Sequence, residues 1–126
     1  MKEIDWSSLS FGYMKTDYNV RCWYRNGAWG EIEVSSEETL NIHMAATCLH
    51  YGQEAFEGLK AYRCPDGKVR VFRMDENAAR LQSSCRGIMM PELPTELFEE
   101  MVTKVVRLNE AYIPPYESGA SLYIRP

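Results

Sequence analysis

The chain has 126 residues, the length of one domain, and its 45% hydrophobic and 25% charged content excludes a wholly disordered chain. Its net charge of −4, with lysines and arginines scattered, argues against a nucleic-acid partner, because neutralising phosphates takes a basic face. No apolar run approaches the ~20 residues that span a bilayer, and Met1-Lys2-Glu3-Ile4-Asp5-Trp6 leads into no apolar stretch, so the expectation is a cytoplasmic protein with no membrane segment and no secretory signal.

The first ~15 residues lack a regular pattern and read as a loose surface arm. Tyr18–Arg25 alternates Val20, Cys22 and Tyr24 against Asn19, Arg21, Trp23 and Arg25, the period of a strand. Asn26-Gly27 follows, a pair that accepts positive φ at both central positions of a type I′ turn. A tight hairpin therefore returns along Ala28–Val34, with Ile32 and Val34 on one face. Ser35–Asn41 is polar and turn-like, and Ile42–Tyr51 has no clean period, reading as irregular or as a short strand. Leu59–Arg63 and Lys68–Arg73 form a second hairpin around Cys64-Pro65-Asp66-Gly67, where proline presets φ and glycine supplies a left-handed residue.

Two helices come next. Asp75 has the carboxylate of an N-cap, Ala78, Ala79 and Leu81 propagate, and Gly87 suits the stop. The second helix runs from a Thr95 cap to about Ala111, with Glu96, Glu99 and Glu100 near its positive end and Arg107 near its negative end. Leu97, Met101, Val105 and Leu108 form one apolar row, and Phe98, Val102 and Val106 the adjacent one. Pro114-Pro115 ends the element, and Ser121–Arg125 reads as a last strand. Hairpins around two helices, without β-α-β alternation, predict an α+β fold: two layers, a mainly antiparallel sheet with helices packed on one face. The chain stops at Arg125-Pro126 directly after a strand, which predicts a piece of a longer protein.

Standard catalytic patterns are scarce. There is no G-x-S-x-G elbow, P-loop, dinucleotide fingerprint or H-E-x-x-H. Cys22, Cys48, Cys64 and Cys85 form no C-x-x-C pair, and with His43 and His50 they match no standard zinc spacing, so reduced thiols and no metal are expected. A Cys48/His50 nucleophile pair lacks a group to orient the base. What remains is the stretch 47–62, in which Gly52 and Gly58 frame polar and aromatic groups. On the residues alone this is a glycine-permitted bend carrying core aromatics between sheet elements.

Leu49-His50-Tyr51-Gly52 and Phe56-Glu57-Gly58-Leu59-Lys60-Ala61-Tyr62 resemble the signature of the branched-chain amino-acid aminotransferases, pyridoxal-phosphate enzymes of the fold-type IV class. The resemblance continues in order through Val69-Arg70-Val71-Phe72-Arg73, Asn77-x-x-Arg80 and Ser121-Leu122-Tyr123-Ile124-Arg125-Pro126, and Phe11–Asp17 resembles the family's amino-terminal arm. It implies that residues 1–126 are the amino-terminal small domain of a two-domain enzyme. It also implies that Arg80 holds the phosphate of pyridoxal 5'-phosphate, a task suited to a planar fork of five donors. By the same resemblance Tyr51 and Phe56 line the substrate side-chain pocket. Tyr123 and Arg125 lie at its far side, where they help to admit the glutamate carboxylate. Taken alone, Arg80 is a surface arginine on a helix, Tyr51 and Phe56 are core aromatics, Tyr123 and Arg125 are a strand end, and Glu57-Gly58 is structural.

The family's Schiff-base lysine lies beyond the Tyr-x-Arg-Pro motif, in the second domain. Lys2, Lys15, Lys60, Lys68 and Lys104 do not match it, so no catalytic residue is expected in this chain, and Lys15 stands where some relatives carry an aromatic. The implied activity is transfer of the amino group of leucine, isoleucine or valine to 2-oxoglutarate, giving glutamate, in a homodimer. The alternatives are a D-amino-acid aminotransferase, an aminodeoxychorismate lyase, or a non-catalytic α+β binding module.

Overall fold

In a computed structural model, which describes residues 2–126, the arm is exposed but tied down at its two ends. Lys2 Nζ donates to Asp17 Oδ1 (2.8 Å) and to the Tyr112 hydroxyl (2.6 Å), which itself donates to Asp17 (2.8 Å). Asn109, buried at 2% exposure, accepts from the Tyr18 amide (3.1 Å) and donates to the Tyr18 carbonyl (2.9 Å). The arm is therefore less loose than its composition suggests, because the Asn109 side chain, 91 residues on, satisfies the Tyr18 backbone and Tyr112 ties Lys2 to Asp17.

The first hairpin is present, in two pieces. Strand β1 (Asn19–Arg21) and strand β2 (Tyr24–Arg25) pair antiparallel with β4 (Glu33–Ser35) and β3 (Ala28–Trp29) respectively. The turn is the expected one, Asn26 at φ 53° and Gly27 at φ 81°. The continuous strands expected over Tyr18–Arg25 and Ala28–Val34 are interrupted because two residues between Arg21 and Tyr24 face three between Trp29 and Glu33. That extra residue is a bulge, held by the Gly30 amide on the Trp23 carbonyl (2.8 Å).

The segment 42–51 holds no strand; it carries one helical turn, α1 (Thr47–His50). The Thr47 carbonyl accepts the Tyr51 amide (2.9 Å), and the Thr47 hydroxyl donates to Gln53 Oε1 (2.6 Å), contacts that a periodicity count does not register. Strand β5 (Leu59–Arg63) and strand β6 (Val69–Val71) form the second hairpin, with Gly67 at φ 79° in the turn.

Helix α2 (Met74–Gly87) starts two residues earlier than a cap at Asp75 requires. Arg73, in the left-handed region at φ 49°, occupies the cap position, and Asp75 sits inside the first turn facing the Arg73 guanidinium at 3.4 Å. Helix α3 (Thr95–Leu108) likewise begins at Thr95 itself, with Pro94 as cap residue; the Thr95 hydroxyl accepts from Gln82 (3.0 Å) instead of capping. It ends at Leu108, short of Ala111, and a 3₁₀ turn over Glu110–Tyr112 follows. Strand β7 (Leu122–Ile124) then pairs antiparallel with β5, giving the sheet order β6-β5-β7.

The α+β expectation holds, with antiparallel strands divided among three small sheets. Leu59, Ala61 and Ile124 from the inner sheet face pack with Ala78, Leu81 and Cys85 of α2 and Phe98, Val102 and Val106 of α3. The last three are the second apolar row read from the sequence, spaced by four so that they share one face. Alternation leaves Lys60, Tyr62, Arg70 and Tyr123 exposed on the other sheet face. Among the described residues no helix is long and apolar enough to cross a membrane.

Candidate functional site

The sharpest polar constellation lies where the segment before β5 meets the first turns of α2. Glu57 is 3% exposed, and its carboxylate accepts from Arg80 twice, Nε to Oε1 at 2.8 Å and Nη2 to Oε2 at 2.7 Å. Asn77, one helical turn before Arg80, adds a third donor to Oε2 at 3.0 Å and reaches the Gly58 carbonyl at 3.4 Å. The Arg80 hydrogen bonds hold the Glu57 carboxyl below its ordinary value, against burial that pushes it up, and Asn77 assists.

Arg80 itself is 69% exposed. It is thus the surface arginine that composition alone suggests, with one edge fixed. Glu57 takes the Nε/Nη2 edge, so three of the five guanidinium N–H groups remain, including the end-on fork of Nη1 and Nη2. That fork suits a phosphate, whose oxygens accept two parallel bonds. The chemistry of the donor set therefore fits the phosphate of pyridoxal 5'-phosphate.

The second constellation is a groove of ≈ 350 Å³ at the end of β7, between the arm and α3. Met101, Val105 and Leu122 supply apolar lining; Tyr13, Tyr123 and Arg125 are polar members. Tyr123 and Arg125 both line this groove, as do the intervening Ile124 and the flanking Leu122 and Pro126; the strand expected over Ser121–Arg125 ends at Ile124, so Arg125 lies just beyond it. Arg125 has no carboxylate partner among the described residues. Phe11 of the arm, itself almost wholly exposed, meets the Tyr123 ring edge-on at 6.1 Å between ring centroids. The Tyr13 hydroxyl donates to Glu38 (2.7 Å), and Lys15 pairs with the same carboxylate at 3.2 Å.

Glu57-Gly58 joins the two constellations. The Glu57 amide donates to the Pro126 carbonyl at 3.4 Å, and a Cβ on Gly58 would sit 2.9 Å from the Tyr123 hydroxyl. Gly58 is thus required for close approach. Gly58→Ala is expected to swing the Tyr123 ring away from Phe11 at a stability cost of about 1 kcal/mol, because the half-exposed ring can yield. A crystal structure of the variant and a pair of thermal melts check both parts.

Tyr51 (83% exposed) and Phe56 (69% exposed) are not core residues, which corrects the structural reading of their rings. Neither they nor Arg80 line the groove. Both are large exposed aromatic groups, and Phe56 directly precedes the buried Glu57. Sequence inspection set Glu57 aside as structural and missed its contact with Arg80. Its only local signal is a carboxylate inside an otherwise apolar and glycine-bearing run; the partner lies 23 residues on. Cys48 and His50 share α1, and His50 Nε2 is engaged by the Met44 carbonyl at 2.6 Å. Among the described residues no three His, Cys, Asp or Glu side chains cluster as metal ligands, and the four cysteines are free.

No family model matches the chain. Its whole length aligns with proteins named branched-chain-amino-acid aminotransferase: 48% identical over 126 residues in Haemophilus influenzae, 46% over 126 in Helicobacter pylori and 44% over 127 in Mycolicibacterium smegmatis. It is aminotransferases that this chain resembles. The chain spans only about a third of the length of these curated relatives, 37%, 37% and 34% respectively.

Proposed function

We propose that this chain is the amino-terminal domain of a branched-chain amino-acid transaminase that moves the amino group of leucine, isoleucine or valine to 2-oxoglutarate with pyridoxal 5'-phosphate. The observation that carries this is 44–48% identity along the entire chain to proteins of that name. The cofactor, when bound, supplies the electron sink that lets the amino group leave one carbon skeleton and join another.

This chain's own share is binding and orientation. Arg80 grips the cofactor phosphate through its free fork. Tyr51 and Phe56 offer apolar surface to an isobutyl or isopropyl group, and Arg125, beside Tyr123, meets the side-chain carboxylate of glutamate or 2-oxoglutarate. A second domain carries the lysine that handles the proton, and two copies pair in the cytoplasm to complete the site. A D-amino-acid aminotransferase or aminodeoxychorismate lyase has no comparable support, since the quoted relatives carry the branched-chain name.

The test is leucine-dependent formation of glutamate from 2-oxoglutarate by the full-length protein, run beside D-alanine as donor. Transfer from leucine and not from D-alanine is expected. The 126-residue chain alone is expected to be inactive, because covalent catalysis needs an amine positioned at the cofactor aldehyde. Turnover by the short chain, or a full-length protein that uses D-alanine and ignores leucine, overturns the proposal.

A further inference from the structure

We infer that Glu57 is a positioning residue for Arg80: its buried carboxylate fixes one edge of the guanidinium so that the opposite fork is presented, ready-oriented, to the phosphate of the cofactor. This rests on the phosphate role proposed for Arg80 and goes beyond it by naming what aims the arginine.

The geometry distinguishes aiming from a casual surface ion pair. The two partners are unequal, Glu57 at 3% and Arg80 at 69% side-chain exposure, so the carboxylate is an anchor inside the protein and the arginine its outward extension. Both carboxylate oxygens are engaged at 2.7 and 2.8 Å, the parallel two-bond arrangement that fixes a plane as well as a distance. Asn77 holds Oε2 from a third direction, so the carboxylate cannot rotate to follow the arginine. The Glu57 amide is itself tied to the Pro126 carbonyl and its neighbour Gly58 is packed under Tyr123, so the anchor sits on restrained backbone.

An unanchored arginine at 69% exposure samples many rotamers, and ordering such a side chain on binding opposes affinity. With Glu57 in place that ordering is already done in the empty protein. The contact also leaves the right donors: Nε and Nη2 face Glu57, while the Nη1/Nη2 fork points away from it.

One opposing effect has to be separated. Glu57 is itself negative, and any variant that removes its charge would strengthen attraction for an anion. Glu57→Asp keeps the charge and withdraws the carboxylate by one methylene, so the Coulomb contribution is held nearly constant while the two-bond geometry is lost.

The experiment is equilibrium titration of cofactor-free, full-length protein with pyridoxal phosphate and, separately, with pyridoxal, which lacks the phosphate. Glu57→Asp is expected to raise the dissociation constant for pyridoxal phosphate about three- to tenfold and to leave that for pyridoxal within about twofold, the range set by ordering one long side chain. In an Arg80→Ala background the same change should add nothing further, because the group it aims is gone. An equal loss for both ligands makes Glu57 a structural residue and overturns the inference, as does an unchanged ratio. If the parent protein binds neither ligand, it is the proposed cofactor role that fails, which the parent titration alone reveals. Should Glu57→Asp fold poorly, Asn77→Ala serves as the second variant: it keeps the Glu57 charge and removes the third donor that stops the carboxylate rotating. It is expected to weaken pyridoxal phosphate binding more than pyridoxal binding and to add nothing in an Arg80→Ala background, and an equal change for both ligands overturns the inference.

Discussion

Arg80→Ala is expected to lower the affinity of the full-length protein for pyridoxal phosphate ten- to a hundredfold, the range for losing hydrogen bonds to a charged group, and to leave pyridoxal binding nearly unchanged. The same substitution has a second, pH-dependent consequence, because it strips Glu57 of two of its three side-chain donors. In the parent protein the Glu57 carboxyl lies below its ordinary value, chiefly through the Arg80 hydrogen bonds. A depressed folded value means stability that is fully present above the ordinary carboxyl range and is lost as pH falls through the folded value. Without Arg80, burial dominates and drives that carboxyl upward instead.

The variant should therefore melt below the parent at pH 7. The gap should narrow as pH falls, first above the ordinary value of about 4.5, where the variant's raised carboxyl takes up a proton and its unpaired buried charge is relieved, and then below it, where the parent loses the Arg80 contribution. Thermal melts at pH 7 and pH 3.5 measure it. A gap of the same size at both values would mean that Arg80 stabilises the fold through its aliphatic stem and not through Glu57.

How far the sequence reaches depends on whether the deciding contacts are local. Strand β5 runs over the predicted Leu59–Arg63, and its turn with β6 places Gly67 at positive φ, because proline, aspartate and glycine specify that bend within four residues. The Phe98, Val102 and Val106 row is buried as its spacing requires. The bulge in the first hairpin is invisible along one strand, since it exists only as a mismatch between two. The caps fail for a related reason: Asp75 and Thr95 are good capping residues, but Arg73 and Gln82 engage their side chains elsewhere.

The candidate site divides along the same line. Tyr123 and Arg125 line one groove because they are near neighbours in the chain at the end of β7, a proximity the sequence states directly. The Glu57–Arg80 contact joins a loop to a helix across 23 residues and leaves no periodic trace. Tyr51 and Phe56 show the converse: aromatic residues are usually core, and only the folded chain reveals them as exposed.

Arg125→Met in the full-length protein is expected to separate the two substrates of the proposed reaction. A single pocket has to take an aliphatic side chain and the carboxylate-bearing side chain of glutamate, and an apolar lining alone excludes the latter, since an unpaired buried charge costs several kcal/mol. Arg125 is the basic side chain lining the 350 Å³ groove, is exposed beside Tyr123, and has no carboxylate partner among the described residues. Its field reaches the arm as well, where it opposes the upward shift that Glu38 imposes on the Tyr13 hydroxyl. Methionine keeps an unbranched chain and removes the charge, so the apolar contacts of the groove survive at a cost usually under ~1.5 kcal/mol. The KM for glutamate and for 2-oxoglutarate should rise tenfold or more, while the half-reaction with leucine stays within about tenfold of the parent. Single-turnover absorbance changes of the cofactor, recorded with leucine and with glutamate separately, measure each half-reaction. If both fall by the same factor, Arg125 holds the α-carboxylate common to all these amino acids, and the side-chain role assigned to it is wrong.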